Sequence, residues 1–158
     1  MKNRWFVLKK GWRFASAFFL LFALTGCLPP SATTPGTGYV SRVIDGDTIV
    51  LSSGEHVRYI GMDTPEMNPE EPFAREATQA NRDLVEHKTI RLEKDTSETD
   101  RYGRLLRYVY VGDKFINLEL VRLGLAEAKS YPPDTRYQLV LDAAEVEAKL
   151  AGRGMWVK

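Results

Sequence analysis

Cysteine and histidine are nearly absent from this chain of 158 residues. Cys27 is the only cysteine, so no internal disulfide can form. The two histidines, His56 and His87, stand apart from each other and from any supporting motif, and both read as structural or surface groups rather than catalytic bases. No run is long enough to span a bilayer comfortably: the apolar stretch from Phe14 to Leu24 falls short of the ~20 residues a membrane helix requires. An EF-hand is excluded by spacing, because counting from Asp45 the sixth residue is Val50 instead of glycine and the twelfth is His56 instead of glutamate. There is no internal repeat, and there is no excess of positive charge. The whole sequence has 22 Lys+Arg against 21 Asp+Glu.

The basic start (Lys2, Arg4, Lys9, Lys10, Arg13) followed by the Phe14 to Leu24 run has the pattern of a targeting segment over residues 1–26. It ends in Leu24-Thr25-Gly26-Cys27, which resembles the lipobox of bacterial lipoproteins, where the cysteine is lipidated and becomes the mature N-terminus. An ordinary signal peptide with an incidental cysteine is the alternative. Residues 27–37, uncharged and rich in Pro, Thr, Ser and Gly, have the composition of a tether. The folded domain is then 38–158, long enough for one core of its own. Processing would remove five basic residues and no acidic ones, leaving 17 against 21 and a net charge of −4. A net-acidic domain touches nucleic acid only through local basic groups and bound cations, which disfavours a pure binding module more than an enzyme.

Within the domain, Tyr39–Ile44, Thr48–Leu51 and Glu55–Ile60 are short, β-branched and aromatic-rich, separated by turn signals at Asp45-Gly46 and Ser52-Ser53-Gly54. They predict a three-stranded meander. A Pro-rich loop (Pro65, Pro69, Pro72) leads to a helix ending near Glu86, with Phe73, Ala77, Ala80 and Leu84 at helical spacing. Thr89–Glu93 and Leu105–Val111 predict two further strands, the second turning at Gly112-Asp113. Asn117 reads as the N-cap of a short helix through Leu123. A last helix from about Thr135 or Arg136 is expected to bury Leu139, Ala143, Val146 and Leu150. Five short strands with three helices predict an α+β fold, a small barrel with packed helices.

Three polar clusters punctuate this pattern: Asp45-Gly46-Asp47-Thr48, Arg58 with Asp63-Thr64-Pro65-Glu66, and Asp100-Arg101-Tyr102-Gly103-Arg104. Cutting a phosphodiester needs charge neutralised on the phosphate, a water positioned or activated, and the reacting groups held in line. Asp47 and Asp63 are natural oxygen ligands for a hard cation, with the Thr64 carbonyl beside them. Arg58 and Arg104 can grip phosphate oxygens in forked geometry, and Glu66 remains as the base. Singly, each piece has an ordinary structural reading. Asp-Gly is a common turn pair, Thr and Pro punctuate loops, and strand arginines are usually solvated. Arg58 and Asp63 also have opposite parity, so a regular strand would aim them at opposite faces unless Gly61 breaks the alternation.

The combination and order resemble the staphylococcal nuclease, or thermonuclease, family. The likeness runs from about Val40 to Trp156 and takes in Ile44–Thr48, the interval from Arg58 to Asp63, Asp63–Glu66, Asp100–Arg104 and Asn117–Ala126. It implies a five-stranded OB-fold β-barrel with three helices, and Ca²⁺-dependent hydrolysis of DNA and RNA leaving 3′-phosphate ends. Position by position, Asp47 and Asp63 resemble the calcium-ligating carboxylates, and Thr64 the residue whose main-chain carbonyl joins them. Glu66 matches the glutamate that activates or orients water, Arg58 and Arg104 the phosphate-clamping arginines, and Asp45 the first aspartate of the turn, which stands behind the ligands.

The chain departs from that pattern in two places. The loop Met67–Pro72 is shorter and more acidic than the lysine-rich loop of the best-known member. Where that member has two tyrosines after its second helix, Ala128–Pro133 offers one, Tyr131; Tyr131 and Tyr102 are read as base-stacking or phosphate contacts. The reading is therefore a monomeric, Ca²⁺-dependent nuclease in the bacterial cell envelope, lipid-anchored through Cys27 and facing the periplasm or the outside, with DNA or RNA as its substrate. One rival is a catalytically inactive OB-fold module that binds nucleic acid; another is a metal-dependent phosphoesterase acting on small nucleotides.

Overall fold

Every strand expected from the sequence is present in the computed structural model, which describes residues 36–157. Strands β1 (Gly36–Val43), β2 (Thr48–Leu51), β3 (His56–Tyr59) and β4 (Met62–Asp63) precede helix α1 (Ala74–Val85). Then come β5 (Thr89–Glu93), β6 (Leu105–Val111), β7 (Lys114–Phe115), α2 (Ile116–Arg122), β8 (Glu127–Ala128), α3 (Gln138–Leu150) and a 3₁₀ turn at Gly154–Trp156. Cys27 and the proposed leader lie outside the described residues. Strand β1 starts at Gly36, so the last two residues assigned to the tether are strand, with Gly36 opposite Leu92 and Thr37 opposite Arg91.

The meander β1-β2-β3 is antiparallel, β1 also pairs antiparallel with β5, and β5 with β6. The ring closes where β3 and β6 run parallel, with Arg58 opposite Leu106. Five strands so joined form a closed OB-type barrel, and with the three helices the fold is α+β. Alternation explains the closure physically: Val57 and Tyr59 of β3 and Ile90 and Leu92 of β5 point inward, meeting Val40, Ile49 and Val109 in one continuous core. The core extends to Leu120, Val121 and Leu141 of the helices. Among the described residues no helix is long and apolar enough to cross a membrane.

Helix α1 is tied to the β1-β2 turn through one buried amide. Asn81 accepts a hydrogen bond from the Tyr59 hydroxyl (2.9 Å) and donates to the Asp45 carbonyl (3.0 Å). The arginines and lysine expected on a solvated face, Arg75, Arg82 and Lys88, are indeed exposed, as are His56 and His87.

Two helix readings need correction. Asn117 is not an N-cap; it lies within α2, fully buried, accepting from the Val109 amide (3.0 Å) and donating to the Ile60 carbonyl (2.9 Å). Two unpaired backbone groups inside the barrel claim its amide more strongly than the helix terminus does. Helix α3 buries Leu141, Ala144 and Ala148, whereas Leu139, Ala143, Val146 and Leu150 face out.

Candidate active site

The site is assembled at the ends of β2 and β3, where two polar turns meet. The Asp45 carboxylate accepts the Asp47 amide (3.1 Å), folding the turn back on itself, and this buries the Asp47 side chain. One Asp47 oxygen accepts both the amide and the hydroxyl of Thr64, each at 3.0 Å. The other accepts the Thr48 hydroxyl (3.0 Å) and an Arg58 guanidinium N–H. Asp47 is thus a buried carboxylate satisfied on both oxygens.

Arg58 is a fork between the two carboxylates: one terminal nitrogen pairs with Asp47 and the other with Asp63. The parity conflict is resolved at Gly61, whose φ of +78° turns the chain between β3 and β4 and swings Asp63 to the face that Arg58 occupies. The second Asp63 oxygen accepts the Lys129 ammonium at 2.6 Å. Burial would raise the Asp63 carboxyl, but Lys129 and Arg58 outweigh it and hold Asp63 below the ordinary carboxylate range. For Asp45 burial wins, and its carboxyl is pushed up despite Arg58 and the Thr48 hydrogen bonds.

Arg104 reaches the same region from the start of β6. Its Nε donates to Asp100 (2.7 Å), whose other oxygen accepts the amides of Tyr102 (2.9 Å) and Arg104 (3.0 Å), and one Arg104 terminal nitrogen lies 3.4 Å from the Thr48 hydroxyl. Burial opposes the Asp100 charge, but Arg104 and these amides keep its carboxyl low. Arg58, Arg104, Tyr102 and Tyr131 line one cavity of about 520 Å³, floored by Tyr59, Ile60 and Leu106. The Arg104 guanidinium lies 5.5 Å from the Tyr102 ring centre. A second, more polar cleft of about 290 Å³ is bounded by Asp63, Thr64, Pro65, Glu71 and Glu127.

Glu66 stands apart from this cluster. It is exposed on the loop after Thr64, and among the described residues its carboxylate has no hydrogen-bonding partner. Its backbone is fixed, however: the Glu66 amide donates to the Glu71 carboxylate and the Glu71 amide to the Glu66 carbonyl, both at 2.9 Å. Sequence reasoning gave no role to three supporting residues. Asp100 orients Arg104, and its position before a Tyr-Gly turn was the available signal; Glu71 closes the Glu66 loop; Lys129 arrives from 66 residues away with no local signal at all.

Fold and site together define an OB-barrel protein with paired carboxylates and guanidinium groups beside a cavity suited to an anionic ligand with flat rings. Residues 56–158 match the family model described as staphylococcal nuclease homologue. The chain is 39% identical over 134 residues to a thermonuclease of Staphylococcus intermedius, covering 80% of each sequence. It is 39% identical over 124 residues to the thermonuclease of Staphylococcus hyicus (74% of this chain, 73% of that one). A third relative, endonuclease YncB of Bacillus subtilis, is 41% identical over 130 residues, 75% of this chain and 61% of that protein. The chain belongs to the staphylococcal nuclease family.

Proposed function

We propose that this protein is a Ca²⁺-dependent nuclease that hydrolyses DNA or RNA to 3′-phosphate products. The observation that carries this reading is the forked Arg58 between two carboxylates, set beside a cavity that Arg104 and two tyrosines share. The relatives' names, thermonuclease and endonuclease, support the same reading.

The donor set suits a hard cation. Asp47 and Asp63 offer carboxylate oxygens gathered by one guanidinium, and the Thr64 carbonyl, as the resemblance implies, would add a third oxygen ligand. Among the described residues no three carboxylate, imidazole or thiolate groups converge, so these two carboxylates and the carbonyl would be the protein's share of the ligands. When bound, calcium supplies positive charge against the phosphate. The chain's own groups do the rest. Arg58 and Arg104 each commit only part of their N–H groups to Asp47, Asp63, Asp100 and Thr48, and the remaining ones face phosphoryl oxygens, stabilising charge that grows in the transition state. Glu66 takes a proton from water as its oxygen attacks phosphorus and the bond to the 5′ oxygen breaks; solvent protonates that oxygen as it leaves. Tyr102 and Tyr131 stack the bases, which suits loose sequence preference. The protein acts as a monomer at the cell envelope, periplasmic or extracellular, held by lipid on Cys27. Replacing Cys27 by serine should release it from the membrane fraction, and unchanged partitioning would remove the anchor.

The test is hydrolysis of single-stranded DNA by the purified full chain with calcium or with chelator, alongside Glu66→Gln and Arg104→Ala. Cleavage that needs calcium and falls by ~10²-fold or more in each variant supports the assignment. Binding without cleavage under any metal would point instead to an inactive OB module, and wild-type rates in either variant would strip that residue of its role.

A further inference from the structure

Lys129 has no part in the chemistry above, yet its ammonium rests on a carboxylate that this chemistry uses. The fold fixes its backbone over β4: in the β4-β8 pair Glu127 lies opposite Asp63 and Ala128 opposite Met62, and the Lys129 amide donates to the Gly61 carbonyl (2.9 Å). The side chain is the exposed part. It is 49% exposed, against 14% for Arg58, the other cation on Asp63.

Between them the protein's own donors engage every oxygen of the two carboxylates. Thr48, Thr64 and Arg58 take those of Asp47, and Arg58 and Lys129 take those of Asp63. A dication meets occupied ligands, and it meets a like charge on each of them. Thr64 is buried and Arg58 is nearly so, which leaves Lys129 as the donor that can withdraw into water without opening the core. A resting place lies close by, since its ammonium is 5.6 Å from the centre of the Tyr131 ring at the rim of the larger cavity.

We infer that Lys129 is a tethered counter-ion that holds Asp63 in the cation-free protein and yields it to calcium, so that the exchange sets the calcium concentration at which the site fills. This rests on the calcium reading given above. Lys129 is accordingly a positioning residue that acts through Asp63. The ammonium occupies lone pairs the metal needs, and its charge repels the incoming ion. A neutral side chain of similar length removes both effects, whereas arginine keeps them.

The experiment is calorimetric titration of the purified full chain in mild detergent with calcium chloride alone, comparing wild type, Lys129→Met and Lys129→Arg. Melting temperatures with chelator and with saturating calcium are measured in parallel. Lys129→Met should bind calcium about tenfold more tightly at low ionic strength. It should also melt lower than wild type in chelator and gain more from calcium, because Asp63 has then lost one of its two cations. Lys129→Arg should keep the wild-type affinity. Equal or weaker affinity in a folded Lys129→Met protein overturns the inference and leaves the calcium reading intact. A wild type that binds no calcium overturns both. If Lys129→Met does not fold, Lys129→Gln is judged by the same comparison.

Discussion

At the scale of single residues, Gly46 governs the site through the side chain it lacks. A Cβ there would stand 2.7 Å from both the hydroxyl oxygen and the methyl group of Thr64, closer than van der Waals contact allows. Thr64 supplies both donors to one oxygen of buried Asp47, so displacing it strips that oxygen of its partners. Gly46→Ala should therefore destabilise by about 1–3 kcal/mol, the usual range for overpacking, and lower turnover by roughly a hundredfold through misplacement of Asp47. Gly36→Ala, where nothing lies within 4 Å, is the control. A denaturant midpoint and a rate both unchanged in Gly46→Ala would show that Thr64 does not depend on this approach. The same residues show what a sequence can disclose. Asp45-Gly46-Asp47 has a turn reading and a ligand reading, and both hold in the geometry, because the turn is what buries Asp47. Arg58 and Asp63 could not be put together by periodicity, since the bend at Gly61 that joins them depends on tertiary packing. Glu66, exposed and with no side-chain partner among the described residues, was singled out only as the carboxylate left over once the ligands were assigned, and the family resemblance attached it to the attacking water.

At the scale of elements, α3 was legible in its existence and misleading in its orientation. Leu139, Val146 and Leu150 follow helical spacing, yet Leu139 is 85% and Leu150 86% exposed. The buried set is Leu141, Ala144 and Ala148. The reason is steric. Leu141 packs over Gly61, whose missing Cβ would lie 2.5 Å from its Cδ1, and the two alanines let α3 approach the body of the domain closely. The set Leu139, Ala143, Val146 and Leu150 and the set Leu141, Ala144 and Ala148 both keep helical spacing, so spacing alone does not choose between the two faces. Leu141→Ala should accordingly cost about 2–5 kcal/mol, and Leu139→Gln should stay within about 0.5 kcal/mol of wild type. Urea unfolding of the two variants checks this, and the reverse order of costs would mean that the helix is rotated. Strands were read more reliably than helices because alternation leaves two choices of face, and β3 and β5 alternate cleanly.

At the scale of the molecule, closure of the barrel was the step hidden from composition and periodicity. Nothing local announces that β3 and β6 pair in parallel, yet that pairing brings Arg58 opposite Leu106 and so carries Arg104 to the shared cavity. The charges gathered by closure make stability depend on pH in a definite direction. Burial disfavours ionisation at Asp63, Asp100 and Glu93. It is outweighed by Lys129 and Arg58 at the first, by Arg104 and the Tyr102 amide at the second, and by Tyr137, Arg136 and Arg91 at the third, so all three titrate below their ordinary values. A carboxyl held lower in the folded chain than in the unfolded one adds stability that is complete above the unfolded value, near about 4, and is lost as pH falls through the folded value. Asp45, raised by burial, has the opposite sign: its contribution is complete below about 4 and fades as pH rises through its folded value. The lowered groups outnumber Asp45, and the exposed Glu55 and Glu98 are also held low by the Ser53 and Arg107 side chains, so stability should be lost in acid. With chelator present, the denaturant midpoint should change little between about pH 8 and 6 and fall steeply below about pH 4. Asp100→Asn should flatten that acid limb by removing one of the lowered groups. A midpoint at pH 3 equal to that at pH 7 would mean that these ion pairs do not stabilise the folded state, and that the carboxylates are held in place by the barrel rather than helping to hold it.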